Sequence, residues 1–249
     1  MFLIPILFFF SGFTALIYQM VWMRELVLVF GASMFAISTL LTAFMGGLAL
    51  GSWYFGKRAD RYSNPLFVYA LLELGIGGYA FLVPLFFSSL IPVYQSLSDL
   101  FDFSFYAFSL VRFFLAVLIL LLPTAFMGGT LPVLAQLYKN RETVGKGVGL
   151  LYAFNTFGAV MGVLGAGFIL LPALGLQKTV FLSAGLNGLI GLIAFLLGRG
   201  KTVRPPVVRQ GVAGSPIGAV LSKGDRRQRQ VLLTVFAISG FSAMIYEVV

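Results

Sequence analysis

Six runs of apolar residues, each about 20 residues or longer, take up most of this 249-residue chain. An α-helix rises about 1.5 Å per residue, so about 20 apolar residues are needed to cross about 30 Å of hydrocarbon. The sequence therefore predicts an all-α, polytopic membrane helix bundle. The six predicted spans are Phe2–Met23, Ala32–Phe55, Pro65–Leu90, Phe108–Tyr138, Gly147–Leu171 and Thr179–Gly198, and a seventh begins near Val231.

The composition excludes a soluble globular domain and most catalytic chemistry. Hydrophobic residues make up 59% of the chain and charged residues only 10%, whereas about 25% of residues are charged in ordinary soluble domains. The chain has no Cys and no His, which removes disulfides, thiolate nucleophiles, the usual general base and the commonest metal ligand. We therefore expect no catalytic residue, no metal site and no cofactor in this chain.

The basic residues lie mainly in alternate loops. The loops after the second, fourth and sixth spans hold 14 of the 17 Lys and Arg residues, and only Arg24, Arg112 and Lys178 lie elsewhere. Cytoplasmic loops of membrane proteins carry the excess of Lys and Arg. We therefore predict that these loops and the N-terminus lie in the cytoplasm, and that the chain is a multi-pass protein of a plasma membrane, such as the bacterial inner membrane.

A basic linker divides the chain into a six-helix module (1–198), the linker itself (199–230) and a last helix (231–249). The linker has two adjacent prolines, several glycines and no helical period, so we expect irregular structure. It has no interleaved aromatic residues to stack on bases, so nucleic acid is not an expected partner. On the opposite side of the membrane, the aromatic-rich segment Ile91–Ala107 is expected to lie in the interface as part of an aromatic belt.

One internal repeat runs to the end of the sequence. SGFTALIYQMV at Ser11–Val21 recurs as SGFSAMIYEVV at Ser239–Val249. Six predicted spans separate the two copies, so both helices cross in the same direction, as parallel repeats do. We expect the second copy to continue beyond Val249, which would make this chain one half of a protein and the start of the next half.

Four segments carry a family resemblance: SGFTALIYQMVWMRELVLVFGAS, AFMGGLALGSWYFGKRADR, LLPTAFMGGTLPVL and LYAFNTFGAVMGVLGAGFILLPALG. Together they cover nearly all of Gly12–Gly175, and they resemble the membrane module of fused major-facilitator/spermidine-synthase-like proteins. The turn GKRADRYSNP after the second span is also similar to the G-x-x-x-D-R loop motif of the major facilitator superfamily, with Gly56, Asp60 and Arg61 carrying the match.

The resemblance implies a major-facilitator-like half that anchors or scaffolds a cytoplasmic aminopropyltransferase domain of polyamine biosynthesis. That domain is not in this chain, because the sequence has no strand, Gly-rich turn and helix N-terminus of the kind that binds an adenosyl group. The alternative is a major-facilitator-like transporter of polyamines or other small cations. The expected partners are the lipid bilayer, the second half of the same protein or another subunit, and the missing cytoplasmic domain.

Glu73 is the clearest anomaly, a carboxylate eight residues inside the third span and about 12 Å from its cytoplasmic end. A charged side chain in a span costs about 2.5–3.5 kcal/mol even on lenient scales, and such residues face a bundle interior or an aqueous cavity. Two interpretations remain open: a protonated or hydrogen-bonded packing carboxyl, or a binding site for a cation or proton. Asn155 and Tyr152 lie at nearly the same depth in the fifth span and are the candidate neighbours.

The last third of the first span is polar, and Tyr18, Trp22 and Arg24 are candidate interfacial anchors there. Alternatively, Gln19 faces a central cavity, because the first span lines the cavity in the major-facilitator proteins that this chain resembles. The second copy of the repeat has Glu247 in the position of Gln19. A complete two-half protein would therefore bring a carboxylate towards the same axis, which would suit a cationic ligand.

Small residues recur every four positions in the second and fifth spans, a pattern that lets helix backbones approach closely in lipid. By analogy with the major-facilitator arrangement, these faces would meet the second half of the protein and would be bare in the present chain. The residues are Ala43, Gly47 and Gly51 in the second span, and Gly158, Gly162 and Ala166 in the fifth.

If the charge bias orients the bundle, reporters fused at Asn64, Asn140 and Gly214 will all lie in the cytoplasm. Paired fusions to a reporter active only inside the cell and to one active only outside measure this directly. An external signal at Gly214 would contradict the six-span count, because that count returns the chain to the side of the N-terminus.

Overall fold

The computed structural model describes residues 3–31, 33–100, 105–138 and 144–199, and a few residues between 230 and 240. All regular structure in these residues is helical, which confirms the predicted all-α class. A 3₁₀ turn follows α2 and another follows α4, and a π-helical segment joins α5 to α6. The elements are α1 (Leu3–Phe30), α2 (Ser33–Arg58), a 3₁₀ turn (Ala59–Arg61), α3 (Pro65–Leu100), α4 (Phe105–Ala135), a 3₁₀ turn (Gln136–Tyr138), α5 (Val144–Gly165), the π segment (Ala166–Leu170) and α6 (Leu171–Gly198).

The helices are long and apolar enough to cross a bilayer, as an integral multi-pass membrane protein requires. Among the described residues, five stretches meet this condition, and the last is the 54-residue stretch Gly145–Gly198. Within that stretch the backbone leaves the helical region at Gly175, where φ is 75° and ψ is −177°. The prediction of membrane helices is therefore confirmed, with five or six spans according to whether this stretch counts as one or two.

The small residues of α5 pack along α1. A Cβ atom at Gly158 would overlap the Phe9 carbonyl, and one at Gly162 would overlap the Phe13 carbonyl. Ala166, the next small residue of the series, is fully buried. Because the contacts follow the same order along both helices, α1 and α5 run parallel with their backbones in close approach.

The small residues of α2 pack along α4 in the same way. A Cβ atom at Gly47 would overlap the Thr124 side chain, and one at Gly51 would overlap the Ala125 carbonyl. The Thr124 hydroxyl also donates a hydrogen bond to the Ala43 carbonyl, with the two oxygens 3.2 Å apart. The three small residues of the second span thus face α4, and the two helices run parallel.

Both series of small residues therefore contact other helices of this chain. The expectation that these faces are uncovered here, and are left to contact a second half of the protein, is wrong. Helices in lipid have no hydrophobic force between them, so close van der Waals packing decides which faces meet. A glycine-lined face allows the closest packing, and α1 and α4 occupy these faces within the module.

α3 and α6 form a third pair, which is antiparallel. Phe67 near the start of α3 packs on Phe195 near the end of α6, with ring centroids 5.8 Å apart, and Phe81 stacks on Phe181 at 4.5 Å. The Asn64 side chain accepts a hydrogen bond from the Phe67 N–H (3.1 Å) and donates one to the last carbonyl of α6 (2.7 Å). It therefore caps the beginning of one helix and the end of the other.

α3 extends to Leu100, beyond the predicted end of the third span, so part of the segment Ile91–Ala107 is helix rather than loop. Tyr94 in this extension is buried, and its ring lies edge-on to Phe108 of α4, with centroids 5.9 Å apart. The Arg112 guanidinium lies 4.3 Å from the centre of the Phe108 ring. These aromatic side chains pack on a neighbouring helix, which explains why the helix continues past the apolar run.

Arg204–Val249 form a separate unit, of which the structure describes helical residues between 230 and 240. There the Thr234 hydroxyl donates a hydrogen bond to the Gln230 carbonyl, at 2.9 Å. Most of the predicted linker and most of the second copy of the repeat, including Glu247, lie outside the described residues.

Gly51→Ala is expected to destabilise the module, because the added methyl group meets the α4 backbone and over-packing costs about 1–3 kcal/mol. Gly78→Ala is the matched control. Gly78 also lies inside a helix, but no described atom lies within 4 Å of a Cβ there, so only the gain in helix propensity of up to about 1 kcal/mol applies. Thermal unfolding in detergent compares the two. A Gly51→Ala protein as stable as Gly78→Ala would contradict the α2–α4 packing.

Candidate functional site

Glu73 lies on α3 with its side chain completely buried. Each of its carboxyl oxygens accepts one hydrogen bond: Oε1 from the Ser11 hydroxyl of α1 at 2.5 Å, and Oε2 from the Asn187 side-chain amide of α6 at 2.6 Å. The carboxyl group therefore joins three helices at one point inside the bundle.

Asn187 extends these contacts to a fourth residue. Its side-chain oxygen accepts a hydrogen bond from the hydroxyl of Tyr18, which lies two turns after Ser11 on α1, at 2.9 Å. An amide suits this position because one side chain can donate to a carboxyl oxygen and accept from a hydroxyl. We call Ser11, Tyr18, Glu73 and Asn187 the buried polar network, and each of them is at most 7% exposed.

A glycine on α3 makes the contact between α3 and α6 possible. Gly77 lies one turn after Glu73, and a Cβ atom there would lie 2.8 Å from the Ala184 carbonyl and 3.1 Å from the Asn187 Cβ. The first distance is shorter than real Cβ atoms show, and the second is tighter than most real Cβ contacts. The hydrogen atom at Gly77 thus lets α6 approach closely enough for the Asn187 amide to reach the carboxyl group.

The surroundings of Glu73 are polar but not basic. Tyr69, one turn earlier on α3, is fully buried beside Glu73 and Ser11, and its hydroxyl has no hydrogen bond of standard geometry. Among the described residues, no Lys or Arg lies close enough to influence the carboxyl group, and no group of three or more acidic side chains is positioned to hold a metal ion. The site satisfies a carboxyl group with hydroxyl and amide donors alone.

Neither of the neighbours that the sequence indicated for Glu73 is one of its hydrogen-bond partners. Asn155 is half-buried against α1, where its Oδ1 would lie 2.8 Å from a Cβ atom at Gly12. Tyr152 is 62% exposed. The hydrogen-bond partners of Glu73 are on α1 and α6 instead, because α3 pairs with α6 while α5 pairs with α1.

Tyr18 and Trp22 are not the interfacial anchors that the sequence indicated. Both are completely buried, and their rings stack with centroids 5.2 Å apart. α1 contacts all five other helices, so its aromatic side chains pack inside the bundle. Arg24 is exposed, and Gln19 is half-buried.

Glu25 is a second buried carboxyl, 9% exposed and close to the end of α1. Its Oε2 has no hydrogen-bond partner among the described residues, and the same is true of Nε1 of Trp22, three residues earlier. The buried side chains of Trp22 and Glu25, one helical turn apart on α1, therefore present one hydrogen-bond donor and one acceptor without partners in the described part of the chain.

The loop-motif residues Gly56, Asp60 and Arg61 are exposed where α2 ends. Partial burial of the next residue, Tyr62, raises the pKa of its hydroxyl, and the positive charge of Arg58 opposes that shift. This turn presents basic and aromatic side chains together at one end of the bundle.

Ser11 and Asn187 are the site residues that sequence reasoning missed. A usable pattern exists for Asn187, since it is the one Asn in the sixth span and lies eleven residues, or about 16 Å, from the end of α6. That depth is close to the depth of about 12 Å calculated for Glu73. Ser11 has no comparable pattern, because small hydroxyl residues are common in membrane helices.

Asn187→Ala is expected to destabilise the module more than Asn155→Ala does. Loss of the Asn187 amide leaves the Tyr18 hydroxyl and one Glu73 oxygen without partners, and each unsatisfied buried group costs about 1–3 kcal/mol. Asn155→Ala removes the same amide from a half-buried position outside the network. Thermal unfolding in one detergent compares the two variants, and equal losses would contradict the structural role of the network.

No family model, curated protein or solved structure matches this chain.

Proposed function

We propose that this chain is the membrane module of a larger protein, a six-span half that anchors a cytoplasmic aminopropyltransferase domain of the spermidine-synthase-like type. The closure of the Glu73 site supports the anchoring role over transport, whereas the aminopropyltransferase domain rests on the sequence resemblance. The carboxyl group best suited to bind a cation is fully buried, and donors from the same chain occupy both of its oxygens. Such a group holds helices together and presents no open polar surface to a substrate.

The directions of the helices support six crossings. α1 and α3 run parallel, because Phe8 and Ser11 contact Tyr69 and Glu73 in the same order. α5 is parallel to α1 and α6 is antiparallel to α3, so the chain reverses its direction near Gly175. Six crossings and the charge bias favour a linker on the same side as the N-terminus, where a cytoplasmic domain would be held.

The segments that resemble the spermidine-synthase-like membrane module include the residues that pack the helices. Gly47 and Gly51 lie in the second of these segments, and Gly158 and Gly162 lie in the fourth. A Cβ atom at any of these four glycines would overlap an atom of the neighbouring helix. The resemblance therefore concerns the construction of the bundle, which is the property that an anchoring module needs.

Transport of polyamines or other small cations is the second candidate function, and the pairing of the helices favours it. The first three helices correspond to the last three, α1 to α4, α2 to α5 and α3 to α6. Under this correspondence the α1–α5 pair becomes the α4–α2 pair, and the α3–α6 pair stays the same. Inverted three-helix repeats of this kind occur in each half of major-facilitator transporters. In this alternative, Gln19 is the candidate contact for the cation on α1.

Counterflow uptake of labelled putrescine and spermidine into proteoliposomes of the full-length protein separates the two functions. The expected result is no uptake above that of protein-free liposomes at any gradient, because an anchor has no substrate path. Uptake that is lost in Gln19→Leu and kept in the control Asn155→Ala would overturn the anchoring function and establish transport.

Cell fractionation tests whether the module anchors an aminopropyltransferase domain to the membrane. Aminopropyltransferase activity of the full-length protein is expected in the membrane fraction. It is expected in the soluble fraction only after deletion of the six-span module together with the span that begins near Val231 and any spans of the second half. Absence of this activity from both fractions would contradict the proposed enzyme domain while leaving the membrane module itself in place.

A further inference from the structure

A groove of about 820 Å³ opens on the surface of the bundle between α2, α3 and α4. Apolar side chains form most of its walls, among them Leu71 of α3 and Leu122 and Phe126 of α4. Leu71 is 52% exposed and Leu122 is 46% exposed, so the described helices leave this groove open. None of the residues of the buried polar network lines it.

One end of the groove is basic and aromatic. Arg58, the last residue of α2, lines the groove, and its guanidinium lies 3.9 Å from the centre of the Tyr54 ring. Tyr62 in the following turn lines the same end. The ammonium group of Lys57 lies 5.6 Å from the centre of the Trp53 ring. Two positive charges are thus held on aromatic rings beside the opening.

The groove extends through most of the depth of one lipid leaflet. Arg58 ends α2, and Leu50, eight positions earlier and also in the groove wall, lies about 12 Å deeper along the helix. The hydrocarbon of one leaflet is about 15 Å thick, half of the bilayer core. The apolar walls therefore match acyl chains, and the basic end lies at the level of the headgroups.

We propose that this groove binds a diacyl phospholipid with an anionic headgroup, with the phosphate at Arg58 and an acyl chain along Leu71 and Leu122. The charges favour this lipid, because Lys57, Arg58 and Arg61 at the end of α2 outnumber the acidic Asp60. The inference is independent of the proposed anchoring function.

The shape of the groove favours a lipid over another helix. Helix contacts in lipid form where small residues line the face, as on α2 towards α4. The rim of the groove instead exposes large side chains, with Trp53 64% exposed and Tyr54 45% exposed. A flexible acyl chain can fit between such side chains, whereas the backbone of a helix cannot come close.

Trp53 provides a direct probe of the groove. It lines the groove and is largely exposed, whereas Trp22, the other tryptophan, is completely buried and gives a constant background. The full chain in phosphatidylcholine bilayers is titrated with brominated phosphatidylglycerol or, separately, with brominated phosphatidylcholine. Bromine quenches tryptophan on contact, and phosphatidylglycerol is expected to quench at a mole fraction about fivefold lower than phosphatidylcholine does.

Matched variants assign the preference to the groove. Arg58→Gln is expected to make the two brominated lipids quench at the same mole fraction. Arg58→Lys, which keeps the charge, is expected to retain most of the preference for phosphatidylglycerol. Arg199→Gln is the control, because Arg199 likewise lies at the end of a helix, and its guanidinium is 4.8 Å from the centre of the Phe195 ring. Leu71→Phe should reduce quenching by filling the groove, and Leu189→Phe, at a position that is also 52% exposed, should not.

Three results would overturn the proposal. One is equal quenching by both lipids in the native chain, and another is a preference for phosphatidylglycerol that survives Arg58→Gln or is lost equally in Arg199→Gln. The third is quenching by neither lipid, which would mean that a second copy of the chain or another helix covers the groove.

Discussion

Close approach of helix backbones at glycine is the interaction on which the rest of this structure depends. In lipid, helices gain little from burying apolar side chains against one another, so van der Waals packing and interhelical hydrogen bonds drive their association. The α1–α5 and α2–α4 pairs meet where a glycine hydrogen takes the place of a side chain, and Gly77 brings α6 to α3 in the same way. The positions of the buried polar groups follow from these contacts.

The buried polar network links two of the helix pairs. Ser11 and Tyr18 belong to the α1–α5 pair, whereas Glu73 and Asn187 belong to the α3–α6 pair. Interhelical hydrogen bonds in membranes average only about 0.6 kcal/mol, whereas a carboxylate without partners in a span costs several times as much. The network therefore contributes mainly to selecting how the helix pairs pack together. Only a packing that brings hydrogen-bond donors to Glu73 avoids the cost of burying its carboxyl group without partners.

The sequence predicted the helices more successfully than their neighbours. The spacing of Gly47, Gly51, Gly158 and Gly162 indicates faces for close packing, but spacing contains no information about which helix will cover them. The depth of Glu73 in the membrane likewise does not identify its hydrogen-bond partner, because both α5 and α6 have polar residues at that depth. Only the pairing of α3 with α6 selects Asn187. Tyr18 and Trp22 resembled interfacial anchors because hydropathy does not reveal which helix is central.

The sequence by itself determined that the chain folds in a lipid bilayer rather than in water, and that its secondary structure is helical. Its apolar runs are too long and too numerous for an aqueous core, and a bilayer requires each segment to satisfy its own backbone hydrogen bonds, which an α-helix does without any partner. Only the tertiary structure decided the pairing of the helices, the closure of the Glu73 site and the opening of the groove beside Arg58. These features depend on how well two faces fit when they are far apart in sequence, and that fit is a property of shapes in contact rather than of any single segment.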